Sequence, residues 1–209
     1  YITNVISVER GVLLMDRAEE TDRAVASTKE RLLRNAVSTF SEKGFHGTSM
    51  REIAKASGCG LPTLYYHYSS KAELFEEIVV NQFLKITEKM NRQVDFTEKP
   101  EEIYLQVIRT RIRLEGFDKE VYKMALKVWL GFEDSGKARE QILDWERKRA
   151  DSNRRIIERG IANEALREDI MEILINYIEN LVSRIILLDE KVDEERIKRQ
   201  ISLLFEIGG

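Results

Sequence analysis

Ser49-Met50-Arg51-Glu52-Ile53-Ala54-Lys55-Ala56-Ser57-Gly58-Cys59-Gly60-Leu61-Pro62-Thr63-Leu64-Tyr65-Tyr66-His67-Tyr68 is the stretch on which the fold turns. Ser49 followed three residues later by Glu52 is a capping-box pattern: a hydroxyl accepts a free backbone N–H of the first turn, and a carboxylate reaches back to the cap. A short helix over 49–56 follows, with Ile53 and Ala54 inward, and it stops near Ser57 and Gly58. Pro62 is tolerated only in a first turn, where its missing N–H would have had no intrahelical partner, so a second short helix has to begin at Gly60 or Leu61 and run over 61–67.

The same reasoning extends outward. Ser27 and Glu30 open a preceding helix over 28–43, in which Leu33, Ala36, Val37 and Phe40 keep the i, i+3, i+4, i+7 spacing and Gly44 supplies a stop. Ser70 and Glu73 open a longer one that carries Leu74, Phe75, Ile78, Val79, Phe83 and Ile86 towards Met90. Two short helices joined by a tight glycine-containing turn and braced by a third are the signature of a helix-turn-helix. Spacing alone is also compatible with a plain helical bundle with short connections, and the surface of the second short helix separates the two. At about 100° per residue, Leu64 and Tyr68 define its inward face and Tyr66 points the opposite way. Pro62, Thr63, Tyr65 and His67 surround Tyr66, where an inert face carries Lys and Glu. Such groups suit thymine methyls, base edges and phosphate oxygens in a major groove. Lys71, in the first turn of the fourth helix, is either a phosphate partner or simply solvated. The N-terminus of the 49–56 helix, with Ser49 and Arg51, offers a second clamp.

Charge is distributed to match. The formal net charge is −3, yet 28–71 holds seven cations (Lys29, Arg31, Arg34, Lys43, Arg51, Lys55, Lys71) against Glu30, Glu42 and Glu52, a local +4 that leaves −7 elsewhere. A basic unit on an acidic body suits a polyanion at one end and a different task at the other.

The ordered set Phe40-x4-Phe45-x2-Thr48-Ser49-Met50-Arg51-Glu52-Ile53-Ala54-x3-Gly58-x4-Thr63-Leu64-Tyr65-Tyr66-His67-Tyr68-x2-Lys71-x2-Leu74 resembles the DNA-binding domain of the tetracycline-repressor (TetR) family of bacterial transcriptional regulators. Two positions depart from the pattern: Gly60 stands where Ser or Thr often caps the recognition helix, and Tyr68 replaces the commoner Phe. Gly is still an acceptable N-cap, and Tyr keeps the aromatic packing. The resemblance implies DNA contacts from Ser49, Arg51, Thr63, Tyr65, Tyr66, His67 and Lys71, with Leu61 and Pro62 near base edges. It also implies a homodimer on a palindromic operator.

Beyond residue 92 only periodicity speaks. It predicts helices from Pro100, over Lys119 to Phe132, Lys137 to Gly160, Asp169 to Leu188, and Glu194 to Ile207. The penultimate helix is apolar on more than one side and so needs more than one partner. Ile173, Tyr177, Ile178, Leu181, Ile185 and Leu188, together with Ile197, Ile201, Leu204 and Phe205 of the last helix, are expected to pair with their copies as a four-helix bundle. The resemblance further implies a small-molecule pocket in this part of the chain. Phe83, Met90, Tyr104, Ile108, Tyr122, Trp129, Phe132 and Trp145 are its candidate lining, each with ordinary core packing as the alternative, and the effector expected is hydrophobic or amphipathic.

The expectation is therefore an all-α protein: an N-terminal extension (1–24), a three-helix helix-turn-helix DNA-binding domain (25–72), and a helical ligand-binding and dimerisation domain (73–209). Its function is that of a homodimeric repressor released from DNA by a small effector, with a transcriptional activator or a non-specific DNA-binding protein as alternatives. Enzymatic activity is disfavoured, since His46 and His67 are the only histidines and no nucleophile-elbow, phosphate-loop or metal-spacing pattern occurs; neither cofactor nor metal is expected. The single cysteine, Cys59, cannot form an intramolecular disulfide, which points to a reducing, cytoplasmic setting. The most apolar run, Leu181 to Leu188, is broken by Ser183 and Arg184 and is far short of the ~20 residues a spanning helix needs. In the extension, Arg17 and Arg23 either reach a minor groove or belong to a self-packed tail.

Overall fold

The computed structural model describes residues 27–132 and 137–208. The expected extension and its arginines therefore lie outside the described residues. All regular structure in the described residues is helical. The chain divides into two compact units, Tyr1–Leu74 and Phe75–Gly209, and each is built on its own logic.

In the first unit, α1 (27–47) buries Leu32, Leu33, Ala36, Val37 and Phe40 along one face. Its helical backbone runs past the predicted stop at residue 43, although Gly44 does take the left-handed conformation (φ 70). The buried Thr48 holds this last turn, its hydroxyl donating to Gly44 O at 2.8 Å. α2 (Met50–Ala56) has the full reciprocal cap: Ser49 N donates to Glu52 Oε2 at 2.9 Å and Glu52 N to Ser49 Oγ at 3.3 Å. Gly58, at φ 62, makes the turn, where a side chain would be strained. α3 (Leu61–His67) starts from Gly60 as a bare N-cap with Pro62 in its first turn.

α4 (Lys71–Glu76), a π-helical segment (Glu77–Gln82) and α5 (Phe83–Asn91) follow one another without a break, where periodicity predicts a single regular helix. The wide turn has a visible cause. The Glu77 carboxylate accepts from both Asn81 Nδ2 and Gln82 Nε2 at 2.7 Å, four and five residues on. The extra residue buries Ile78, Val79 and Val80 in succession.

In the second unit, α6 (Pro100–Ile112), α7 (Gly116–Trp129), α8 (Lys137–Gly160), α9 (Glu164–Leu188) and α10 (Glu194–Gly208) pack around one core. α10 lies on α6 and α9, and α8 touches α6, α7 and α9. α7 begins and ends three residues before its predicted bounds, terminated ahead of Gly131 at φ 80. α9 begins at Glu164 rather than Asp169 because Asn163 Oδ1 accepts Ala165 N at 3.1 Å. No described helix is long and apolar enough to cross a membrane.

The core is tightest where Gly160 meets α10. A Cβ built on Gly160 would lie 2.7 Å from Phe205 Cε1 and 2.8 Å from Pro100 Cγ, and neither ring can swing away as a flexible chain end would. Gly160→Ala should therefore lower stability by about 1–3 kcal/mol despite alanine's better helix propensity, a loss to be read as an earlier urea midpoint at unchanged m.

Candidate nucleic-acid interface and ligand cavity

A seven-residue helix such as α3 cannot hold itself in water, so its orientation is set by what it buries. Leu64 is fully buried and Tyr68, its C-cap, nearly so, whereas Tyr66 on the opposite side is 79% exposed. Pro62, Thr63 and Tyr65 are exposed beside it, Leu61 and His67 are half-buried at the flanks, and the His67 ring meets the Tyr66 ring edge-on at 5.2 Å between centroids. Burial pulls the His67 imidazole below its ordinary 6.5, and the Lys29 charge adds to this. Near neutrality it is a neutral hydrogen-bonding ring.

The basic residues fall into two groups. Arg34 pairs with Glu30, Lys43 with Glu52, Arg31 Nε donates to Ser57 O at 2.9 Å, and the Lys29 ammonium stands 5.8 Å from the Tyr68 ring centroid. Lys71 is similarly engaged: its ammonium donates to Phe45 O (2.8 Å) and Thr48 O (2.9 Å) and lies over the Phe45 ring. Two of its three protons thus clamp the α1–α2 connection to the start of α4, a structural duty that sequence reasoning missed because it depends on carbonyls 23 and 26 residues away. By contrast, Arg51 and Lys55 are exposed and no ion pair holds them among the described residues. Ser49 is exposed too, with its hydroxyl and N–H engaged by Glu52. Cys59 is half-buried in the turn.

The second unit contains a cavity of about 560 Å³ between α6, α8 and α9, whose walls include Phe96, Tyr104, Val107, Trp145, Ile156 and Ile178. A smaller neighbouring cavity shares Val107, Arg111, Trp145, Arg149 and Ile178 and adds Phe83, Tyr122 and Trp129. The rings of Phe83, Tyr122 and Trp145 pack against one another, with Phe83 5.2 Å from Tyr122 and 4.9 Å from Trp145. Five of the eight residues expected to line a pocket are thus brought together. Met90 and Ile108 instead sit in the packed core outside both linings, and Phe132 is 75% exposed just beyond the end of α7, because that helix stops at Trp129.

Polar groups at the cavity are of two kinds. Arg149 pairs with Glu146 (2.7 Å) and Glu179 (2.6 Å); burial pulls its guanidinium down, but the two carboxylates outweigh this and leave it above its ordinary value. Arg111, which sequence reasoning passed over, is buried without a carboxylate partner among the described residues. It was findable, since it continues the apolar stripe of Tyr104, Val107 and Ile108 at helical spacing.

The residues expected at a dimer interface divide as well. Ile178, Leu181, Ile185, Ile197, Ile201 and Phe205 are buried within the single chain, where α9 and α10 pack on each other and on α6. A stripe already covered cannot also face a copy, and this corrects their assignment. Ile173 and Leu188 are exposed and Tyr177 and Leu204 half-buried. Leu203 and Ile207, not named from the sequence, are exposed beside them on α10.

With this geometry in place, comparison with known proteins is specific for the first unit. Residues 32–78 match the family profile described as bacterial regulatory proteins, tetR family. The biofilm operon icaADBC HTH-type negative transcriptional regulator IcaR of Staphylococcus epidermidis is 40% identical over 55 residues, which is 26% of this chain and 30% of that protein. The match thus spans less than a third of the curated relative. Two solved structures extend the likeness along the fold. A TetR-like transcriptional regulator from Rhodococcus sp. RHA1 superposes with a TM-score of 0.68 at 20% identity, over 87% of this chain and 94% of that one. AibR, solved in complex with isovaleryl coenzyme A and operator DNA, gives 0.61 at 22%, over 85% and 98%. The two units therefore define a helix-turn-helix protein with a helical second unit. Residues 32–78 are thus similar to the tetR family of bacterial regulatory proteins, and the likeness of the rest is one of fold.

The α2 cap carries a pH signature. Hydrogen bonds from Lys43 and from Ser49 hold the Glu52 carboxyl at about 2, down from 4.5. A carboxyl depressed on folding stabilises above its unfolded pKa, and that contribution is lost as pH falls through the folded one. The melting temperature of Glu52→Gln should lie below that of the parent at pH 6, and the gap should close between pH 4.5 and about 2; a gap independent of pH would show that the carboxylate charge is not what matters.

Proposed function

We propose that the protein is a homodimeric transcriptional repressor that reads a palindromic operator through α3 and is released from it by a small molecule held in the second unit. The observation that carries this reading is the exposure of Tyr66 beside Pro62, Thr63, Tyr65 and His67 on a helix whose opposite side is anchored by Leu64. An exposed phenol beside a hydroxyl and a neutral imidazole has little use in water. It can meet base edges and methyls in a major groove about 12 Å wide. Arg51, exposed in the first turn of α2, supplies a phosphate partner from the neighbouring element. The third proton of the Lys71 ammonium supplies another.

Dimerisation is assigned to the outward faces of α9 and α10. Ile173, Tyr177 and Leu188 recur along one side of α9 and Leu203 and Ile207 along one side of α10, and a hydrogen bond from Tyr177 OH to Gln200 Oε1 (2.8 Å) joins the two. Exposed apolar side chains recurring on adjacent helices mark a surface that is covered in the assembly. A two-fold axis there gives the dimer two copies of α3, one for each half of a palindrome.

The effector reading rests on the cavity lined by Tyr104, Trp145 and Ile178, whose size suits a small molecule. The IcaR likeness supports repression, and the AibR complex supports a protein that holds both an acyl thioester and operator DNA. The helical run from Lys71 to Asn91 carries Lys71 in its first turn and Phe83 in the cavity wall. A ligand that favours one arrangement of this run shifts affinity for DNA, and by linkage DNA shifts affinity for the ligand.

Two measurements test the reading. In a footprint on DNA upstream of its own gene, the protein should protect a palindrome. Tyr66→Ala should weaken binding there by roughly 1–3 kcal/mol while binding to random duplex changes little; equal losses on both would remove the base-reading role. Light scattering should give a dimer at micromolar concentration, and Leu203→Glu with Ile207→Glu should give a folded monomer, because two carboxylates per subunit would have to be desolvated in the interface. A dimer that survives both changes places the interface elsewhere.

A further inference from the structure

Arginine inside a protein is almost always neutralised, because a guanidinium removed from water must recover its lost solvation from an anion or from a full set of acceptors. Arg111 has neither. It is 6% exposed, its Nη1 donates to Val107 O (3.0 Å) and Thr110 Oγ1 (2.9 Å), and no described carboxylate comes within ion-pair distance. The donors on Nε and Nη2 have no protein acceptor among the described residues, and neither atom is fully enclosed, so both can be reached from outside the protein. This residue borders both of the cavities described above.

The surroundings agree in sign. The lining of the larger cavity contains Arg111, Lys148, Arg149 and Arg155 and no Asp or Glu. Arg149 is already neutralised by Glu146 and Glu179, and Lys148 pairs with Asp144 at 2.8 Å. Arg149 and its two carboxylates carry −1 between them, so the cluster sums to zero with Arg111; Arg111 is nonetheless the buried cation of this lining that no described carboxylate contacts. Two turns along the same face of α6, the Tyr104 hydroxyl is buried with no hydrogen-bond partner; burial pushes its phenol well above the ordinary range, so it remains a donor. Between and around these two lie the apolar surfaces of Val107, Trp145, Ile175 and Ile178.

We infer that the ligand of this cavity is an organic monoanion, a carboxylic acid with an apolar chain or ring, whose carboxylate pairs with Arg111 and whose body lies against the Trp145 and Ile178 walls. A fork of N–H donors without a protein acceptor matches the two oxygens of a carboxylate, and a guanidinium that no carboxylate contacts directly takes one negative charge as its partner. A phosphate dianion would bring a second charge for which no buried cation is free. An uncharged hydrophobe would leave the guanidinium as unsatisfied as before. The inference rests on the reading of the second unit as an effector domain and adds the chemical class of what it takes.

The test uses the full chain and reads Trp145 and Trp129 fluorescence, since Trp145 borders both cavities and Trp129 the smaller. Sodium decanoate, 1-decanol and decyl phosphate serve as probes of matched chain length. Decanoate should bind at least about tenfold more tightly than decanol, the difference expected of a charge-assisted hydrogen-bonded pair, and more tightly than decyl phosphate. In Arg111→Gln, with folding checked by circular dichroism, the preference for decanoate over decanol should vanish while decanol still binds. Equal binding of decanoate and decanol by the parent protein overturns the proposal, as does absence of decanoate binding, tighter binding of decyl phosphate, or a carboxylate preference that survives in Arg111→Gln. If the variant does not fold, the comparison of probes on the parent protein decides alone. The readout needs no DNA, so a protein that binds decanoate through Arg111 yet protects no operator supports this site and counts against the regulator reading.

Discussion

The arrangement of the first unit depends on the burial of one side chain, Leu64. α2 and α3 are each seven residues long, below the length at which helical hydrogen bonding outweighs the entropy of nucleation. Neither exists without the surface it packs on. Burying a leucine side chain fully is worth roughly 1.5–3 kcal/mol, and in a helix of two turns that single contact, with Tyr68 behind it, fixes the rotation about the axis. Once Leu64 points in, Tyr66 has to point out. The Lys71 ammonium adds a second fixed point by bonding Phe45 O and Thr48 O, which ties the helix after α3 to the connection before α2. Recognition chemistry is thus presented by geometry that other residues enforce.

The charge pattern gains meaning when sorted by use. A local excess of cations in the sequence suggests a broad basic surface, yet Lys29, Arg31, Arg34, Lys43 and Lys71 each have a partner inside the unit. Exposed ion pairs such as Arg34–Glu30 contribute little to stability, and they open at small cost when a phosphate offers a better anion. The Lys71 contacts are of another kind, since withdrawing that ammonium would strand two carbonyl oxygens. A surface built this way has a small permanent positive field and a larger reserve of exchangeable contacts, which accords with the proposed reading of a protein that binds and leaves a polyanion.

The sequence was most informative where a local rule decided the outcome. The Ser49–Glu52 box, Pro62 in a first turn, and glycine at position 58 are settled within a few residues, and the opposition of Leu64 and Tyr66 follows from helical periodicity alone. Where distant partners decide, periodicity failed in an instructive way. The stripe of Ile178, Leu181 and Ile185 is apolar, but apolarity cannot say whether α6 and α10 or a second copy covers it. The π-helical turn arises from one carboxylate, Glu77, gripping two amides, an arrangement that no apolar pattern announces. Met90 and Phe132 have the right chemistry for a pocket wall and sit elsewhere, because lining is a property of where helices end, and α7 ends at Trp129.

Arg111 and Tyr66 illustrate one physical argument from opposite directions. An exposed phenol among polar neighbours forgoes the burial that its ring could have, and a buried guanidinium without a carboxylate forgoes the solvation that its charge requires. Each is a local choice that folding alone does not favour, and sequences that fold well agree at every level except where something other than folding sets the residue. The two positions lie in different units and share no contact pattern, so one structural defect cannot account for both. On the readings proposed above, each finds complementary chemistry in a partner: a grooved, methyl- and base-bearing surface for the first, and an anion with an apolar body for the second. A packed helical protein with no partner would be more stable with leucine or methionine at position 111 and lysine or glutamate at position 66. That it carries the costlier residue at both is the strongest physical reason to regard both as sites.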